Sequence, residues 1–265
     1  MLRIGTVPFL VARPLTWGLA QRDDVELVEA LPADLVRMLR RGEVDVALAS
    51  SILSLEPENF PFWYDGPVIA TDGAVRSVLV LLREGCQPAD VTRMALDPAS
   101  RTGRALAEIV LRDHFGAQPQ MIEYAPREAV ELSCPLDAAN AGQESFDAVQ
   151  IIGDLALKLA DQNPDKKIID LGETWQQLTG LPFVYAGWIG RRGFDPAEAA
   201  HILHGAAVEG MAQRQTLAEE GANQLGLSQS FIRRYLCQDL SYTLPSNIVR
   251  SSLAEFQARL GLPVS

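Results

Sequence analysis

The sequence predicts a two-lobed α/β protein with a ligand cleft between its lobes. Three observations lead there. Short apolar runs alternate with amphipathic helical stretches from the first residues, the alternation starts again near residue 93, and the turns that follow the strands are rich in Ser, Thr and Gly.

Arg3–Val7 reads as a buried strand, and Pro14 suits the first turn of a helix running to about Arg22. Val25–Ala30 is a second strand. Pro32 opens a helix with Leu35, Val36 and Leu39 on one face, and Gly42 closes it. Val44–Ala49 is a third strand, ending at Ser50–Ser51. This β-α-β-α-β order implies a parallel sheet with right-handed crossovers. Val68–Thr71 and Ser77–Leu82 read as two more strands.

In the second round Arg93–Leu96 is a strand, Ser100–Arg101–Thr102–Gly103 a loop, and Ala105–Phe115 a helix stopped by Gly116. Met121–Tyr124, Ala148–Ile152 and Val184–Ile189 are strands, and Asp154–Asp161 is a helix. The remainder is helical. Asp195, Pro196 and Glu198 form a capping box for a long helix reaching toward Gly221, and Ser228 and Ser246 can cap two more. No internal repeat is evident.

Composition narrows the function. The 265 residues carry 34 acidic and 23 basic side chains, for a formal charge of −11. Such a chain gains little from counterion release, which argues against nucleic acid and anionic membrane as partners. Cys86, Cys134 and Cys237 are widely spaced and odd in number, as expected in a reducing compartment. No secretory leader pattern and no membrane-length apolar run is seen, so the expected location is cytoplasmic. His201 and His204 share a helix face without a third ligand nearby, and no metal or cofactor is expected. The motifs of serine hydrolases, nucleoside-triphosphate enzymes, zinc proteases and dinucleotide enzymes are all missing.

In open parallel sheets ligands sit beyond the C-terminal strand ends. The loops there are Pro8–Pro14, Ser50–Ser51, Ser100–Gly103 and Gly153–Asp154. A helix start after Ser100 would present free N–H groups and a partial positive charge to an anion, with Ser and Thr adding donors. Ser100 as a plain helix cap is the equal alternative, and Asp154 reads more simply as an N-cap than as a catalytic carboxylate.

Seven segments, in order, resemble the chorismate dehydratases of the futalosine route to menaquinone. They begin at Arg3-Ile-Gly-Thr-Val-Pro-Phe-Leu, Val44-Asp-Val-Ala-Leu-Ala-Ser-Ser-Ile, Asp72-Gly-Ala-Val-Arg-Ser-Val and Ala95-Leu-Asp-Pro-Ala-Ser-Arg-Thr. Ile151-Ile-Gly-Asp-Leu-Ala-Leu, Asp170-Leu-Gly-Glu-Thr-Trp and Thr179-Gly-Leu-Pro-Phe-Val-Tyr-Ala-Gly-Trp complete the series. The resemblance implies the type II periplasmic-binding-protein-like fold, with lobe one formed by residues 1–84 and 190–265 and lobe two by residues 85–189. It implies a cofactor-free lyase that converts chorismate, a dicarboxylate, to 3-[(1-carboxyvinyl)oxy]benzoate. The substrate-contacting residues it implies are Phe9, Val11, Ser50, Ser51, Ser77, Ser100, Arg101, Thr102, Gly103, Gly153 and Asp154, with no base assigned and no oligomeric state.

Two departures stand out. Val11 occupies a position where the family usually has Asn, and Gly103 one where Ser is common. The alternatives are a non-catalytic anion-binding protein of the same fold and the sister 1,4-dihydroxy-6-naphthoate synthase. The sister family carries a histidine where this chain has Gly153.

Overall fold

A computed structural model describes residues 1–58, 60–98, 100–123, 146–162 and 167–262. Cys134 and the last residue of the expected strand at Tyr124 lie outside them. The chain forms two compact units, Met1–Asp72 with Leu181–Ser265, and Gly73–Gly180.

The chain starts in the first unit with β1 (Leu2–Thr6). A 3-10 turn and the short helix α1 (Arg13–Thr16) follow. The expected helix to Arg22 stops here, because Trp17 is extended (ψ 131) and Gly18 takes the left-handed region (φ 71). Next come β2 (Val25–Glu29), α2 (Pro32–Arg41), β3 (Val46–Ser50) and β4 (Val68–Thr71).

The second unit contains β5 (Val78–Leu82), β6 (Arg93–Leu96), α3 (Arg101–Asp113), β7 (Gln120–Glu123) and β8 (Ala148–Ile152). It ends with α4 (Gly153–Gln162), β9 (Ile168–Asp170) and α5 (Leu171–Thr179).

Back in the first unit lie β10 (Phe183–Gly190), α6 (Ala200–Ala212), α7 (Arg214–Leu225), α8 (Gln229–Arg234), β11 (Leu240–Ser241) and α9 (Ser246–Arg259). The Asp195 capping box forms but opens a 3-10 turn ahead of α6. The long helix expected there is two helices, broken at Gln213. Ser228 precedes α8 without a side-chain capping bond, and Ser246 is already inside α9 behind Pro245.

The two sheets share one plan. In the first, the strand order is β11-β4-β10-β3-β1-β2; in the second it is β7-β6-β8-β5-β9. Each has a parallel trio, β2-β1-β3 and β7-β6-β8, as the alternation predicted. Each then adds an antiparallel strand, β10 or β5, so neither sheet is wholly parallel. The crossing points differ from the sequence reading. Val78–Leu82 pairs with β8 and β9, and Phe183–Gly190 pairs with β3 and β4. Each therefore belongs to the sheet opposite to the one expected. Sheet membership is decided by hydrogen-bond partners far along the chain, and local patterning is blind to them.

The parallel pairings β1–β3 and β6–β8 are short, and a carboxylate starts each. Asp45 accepts from the backbone N–H of Arg3 (3.1 Å) and from its guanidinium (2.8 and 3.2 Å), and from Arg191 Nε at 2.9 Å. Asp147 accepts from the N–H groups of Thr92 (3.0 Å) and Arg93 (3.1 Å), from the Thr92 hydroxyl at 2.7 Å, and pairs with Arg83 at 2.7 Å. Backbone bonds repeat as well: Asp45 N–H donates to Arg3 O, and Asp147 N–H to Arg93 O, both at 2.9 Å. Arg191 and Arg83 each follow the antiparallel strand beside the pair. The guanidinium of Arg3, helped by Arg191, holds the Asp45 carboxyl far below the usual carboxylate range. Burial opposes ionisation of Asp147, yet Thr92, the Arg93 N–H and Arg83 keep its carboxyl below that range too.

A carboxyl with a depressed folded pKa stabilises fully above its unfolded value of about 4 and loses that contribution as pH falls below it. Asp45→Asn is therefore expected to cost roughly 1–3 kcal/mol at pH 7. Urea unfolding at pH 7 and pH 3 checks this, and the gap between variant and parent should shrink at the lower pH.

Candidate active site

In the first unit the strand-end residues hang on a few buried contacts. Thr6 closes β1 at 1% exposure, and its Oγ1 has no hydrogen-bond partner among the described residues. The loop after it carries Phe9 and Val11, both half-buried, on either side of buried Leu10. Leu10 seats on Gly221 of α7, where a Cβ would come within 2.7 Å of its methyl carbons. The Tyr242 hydroxyl donates to the Val11 carbonyl at 3.1 Å, so the loop is tied down from far along the chain. Tyr242 is wholly buried, and burial pushes its phenol well above the ordinary value.

Ser50 is half-buried at the end of β3. Ser51 is fully buried and donates its hydroxyl to Val184 O at 2.7 Å. Its single proton is spent on fastening β3 to β10, so it has no donor to offer an anion.

In the second unit Ser77 is buried just before β5. Its hydroxyl donates to Val75 O at 3.3 Å, and its carbonyl accepts from Gly153 N–H at 2.8 Å. The turn ahead of it is unusual. Arg76 has φ 57, the one positive-φ non-glycine among the described residues, and Asp170 holds it there. The Asp170 carboxylate accepts from Val75 N–H (2.9 Å) and Arg76 N–H (2.8 Å), and also caps α5 through Gly172 (3.0 Å) and Glu173 (3.1 Å). Burial pushes this carboxyl up, against the pull of those N–H donors. Two segments singled out in the sequence, at residues 72–78 and 170–175, thus meet at one carboxylate that sets Ser77.

At α3 the expected loop is largely helix. Ser100 stands at the N-cap position with extended backbone, while Arg101, Thr102 and Gly103 form the first turn. The plain-cap alternative is not what is seen, since the Ser100 side chain makes no capping bond. Ser100 and Thr102 are 8% and 3% exposed. Gly103 lies against Ser100 Oγ and Gln150 Nε2, at 2.4 and 2.8 Å from where a Cβ would be. Gly153 begins α4 with φ 65, and Asp154 sits inside that helix's first turn.

Gln150 was absent from the sequence-derived site. It is a fully buried amide in an otherwise apolar strand, and that single polar residue in Ala148–Ile152 was the available signal. The histidines serve elsewhere: His204 packs edge-on against Trp63 and His114 against Phe115. Among the described residues no cluster of His, Cys, Asp and Glu suits a metal, and no helix is long and apolar enough to cross a membrane.

The fold is that of the periplasmic-binding-protein-like class. AF1704 from Archaeoglobus fulgidus aligns with a TM-score of 0.72 at 15% identity, covering 98% of this chain and 96% of that one. The alkanesulfonate-binding protein SsuA from Xanthomonas axonopodis pv. citri aligns at 0.68 and 19% identity, covering 99% and 94%. At such identities the likeness speaks for the fold alone.

Sequence relationship goes further. The profile of a family described as menaquinone biosynthesis matches residues 2–260. The chorismate dehydratase of Thermus thermophilus is 32% identical over 253 residues, 89% of this chain and 87% of that protein. The chorismate dehydratase of Campylobacter jejuni is 28% identical over 178 residues, 67% and 58% of the two chains. This chain belongs to the menaquinone-biosynthesis family, and it is an enzyme.

Removing the Tyr242 hydroxyl frees the Val11 carbonyl. Tyr242→Phe should lower stability by about 1 kcal/mol and speed amide hydrogen exchange at residues 9–12. Thermal unfolding and exchange mass spectrometry measure the two effects.

Proposed function

We propose that this enzyme removes water from chorismate to give 3-[(1-carboxyvinyl)oxy]benzoate. The observation that carries the reading is the near full-length relationship to the dehydratase of Thermus thermophilus. The chemistry is modest in its demands. The ring C–O bond to the hydroxyl breaks, a proton leaves the neighbouring ring carbon, and that C–H pair completes an aromatic ring. Departing hydroxide and the proton leave as water. Aromatisation drives the step, so the protein's part is mainly orientation and proton handling.

The thirteen-residue helix α3 starts beside Ser100 and Thr102, and the positive end of its dipole suits one of the two carboxylates. In the first unit Phe9, Val11 and Ser50 are the contacts we assign; in the second, Ser77, Ser100, Arg101, Thr102, Gly103, Gly153 and Asp154. Ser51 joins them only as the fastening of its loop. None of the three histidines lies on these loops, and the substrate's own side-chain carboxylate takes the ring proton in this scheme. The scheme uses no cofactor. The free thiols of Cys86 and Cys237 accord with a cytoplasmic setting.

The test is direct. Purified protein incubated with chorismate should yield the aromatic product, seen by its absorbance and mass; binding without turnover would reject the dehydratase reading in favour of simple anion capture. Ser100→Ala and Thr102→Ala should each weaken chorismate binding about tenfold with a smaller effect on stability. Equal affinity in both variants would remove the α3 terminus from the site.

A further inference from the structure

Gln150 occupies a position for which the fold supplies its own control. The carboxylates that start the β1–β3 and β6–β8 pairings align Asp45 with Asp147. The registers Gly5↔Ala47 and Ala95↔Val149 then align Leu48 with Gln150. Both are buried, at 1% and 0% exposure. One sheet fills the position with an alkyl side chain and the other with a carboxamide, so burial alone does not call for the amide.

Half of that amide is accounted for. Asp97 N–H donates to Gln150 Oε1 at 3.1 Å, which identifies the oxygen end and turns the NH2 the other way. Nε2 has no hydrogen-bond partner among the described residues. A buried donor left unmet is costly, and one retained at a site is a sign of use. Its direction is given by Gly103, where a Cβ would lie 2.8 Å from Nε2 and 2.4 Å from Ser100 Oγ. The room that a side chain at 103 would need is thus taken first by Ser100 Oγ and next by the amide nitrogen, which places that nitrogen close to Ser100 at the start of α3.

We propose that Gln150 is a positioning residue for Ser100: its NH2 donates to the Ser100 oxygen when a carboxylate occupies the α3 N-terminus, leaving the Ser100 proton for that carboxylate. Naming the carboxylate as one of chorismate's rests on the dehydratase reading. A hydroxyl has one proton and two lone pairs, so a donor behind the oxygen directs the proton forward. A chain of two such bonds also strengthens each of them in a buried setting. Gly103 brings no hydroxyl of its own to that turn, and the donor from β8 lies beside it.

The variants Gln150→Leu, Ser100→Ala, Gly103→Ser and their pairs test this, using leucine because Leu48 fills the equivalent place. Gln150→Leu should raise KM for chorismate about tenfold, more than it lowers kcat, without lowering the melting temperature. In a Ser100→Ala background the same change should cost nothing further, since it acts through that hydroxyl. Gly103→Ser should destabilise the protein, since its Cβ would press on Ser100 Oγ and on the amide nitrogen, and Gln150→Leu should relieve only the second of these contacts. Unchanged affinity in Gln150→Leu, or an equal loss with and without Ser100, overturns the role. Calorimetric titration with chorismate beside the turnover assay separates the two readings. Parent protein that binds without turnover sinks the dehydratase assignment and leaves Gln150 judged on affinity; parent protein that does not bind sinks both.

Discussion

An aspartate at the start of a buried strand, gripping the backbone of the parallel strand beside it, underlies both units. Asp45 and Asp147 each take a neighbouring strand's N–H and an arginine from the end of the adjoining antiparallel strand. Parallel pairs this short define register weakly, and a slip of one residue would turn every inward side chain outward. The carboxylate removes that freedom. It can do so because guanidinium and N–H partners compensate for what ionised oxygen loses on leaving water.

With the strand starts pinned, the strand ends become reliable platforms. In the first unit β1 and β3 end at Thr6 and Ser50, and Tyr242 with Gly221 fixes the intervening loop. In the second, β6 and β8 lead into the first turns of α3 and α4, while Asp170 secures the turn before β5. Ser50, Ser100 and Thr102 stand at these ends, where side chains need not alternate in and out of a core. Ser51 shows the limit of that rule, being at a strand end yet committed to holding two strands together.

Gly103 and Gln150 meet at the start of α3, where a Cβ on residue 103 would lie 2.4 Å from Ser100 Oγ and 2.8 Å from the amide nitrogen. That nitrogen is buried and has no hydrogen-bond partner among the described residues, so a donor stands near Ser100 that the core does not use. Val11 is engaged through its carbonyl, which Tyr242 ties down.

The sequence by itself determined the local elements. Val68–Thr71, Arg93–Leu96 and Ala148–Ile152 were legible to the residue, since apolar runs bounded by turn residues leave the chain little choice. It also marked the strand-end loops and, through seven segments, the family. Tertiary structure decided which sheet takes β5 and β10, because antiparallel partners lie as far as 144 residues apart in sequence (Gly190 and Val46) and leave no local period. It likewise made a helical turn of residues 101–103, broke the helix at Gly18, and brought Gln150 to Gly103. Those outcomes depend on what packs against the segment, and only the folded chain supplies that neighbour.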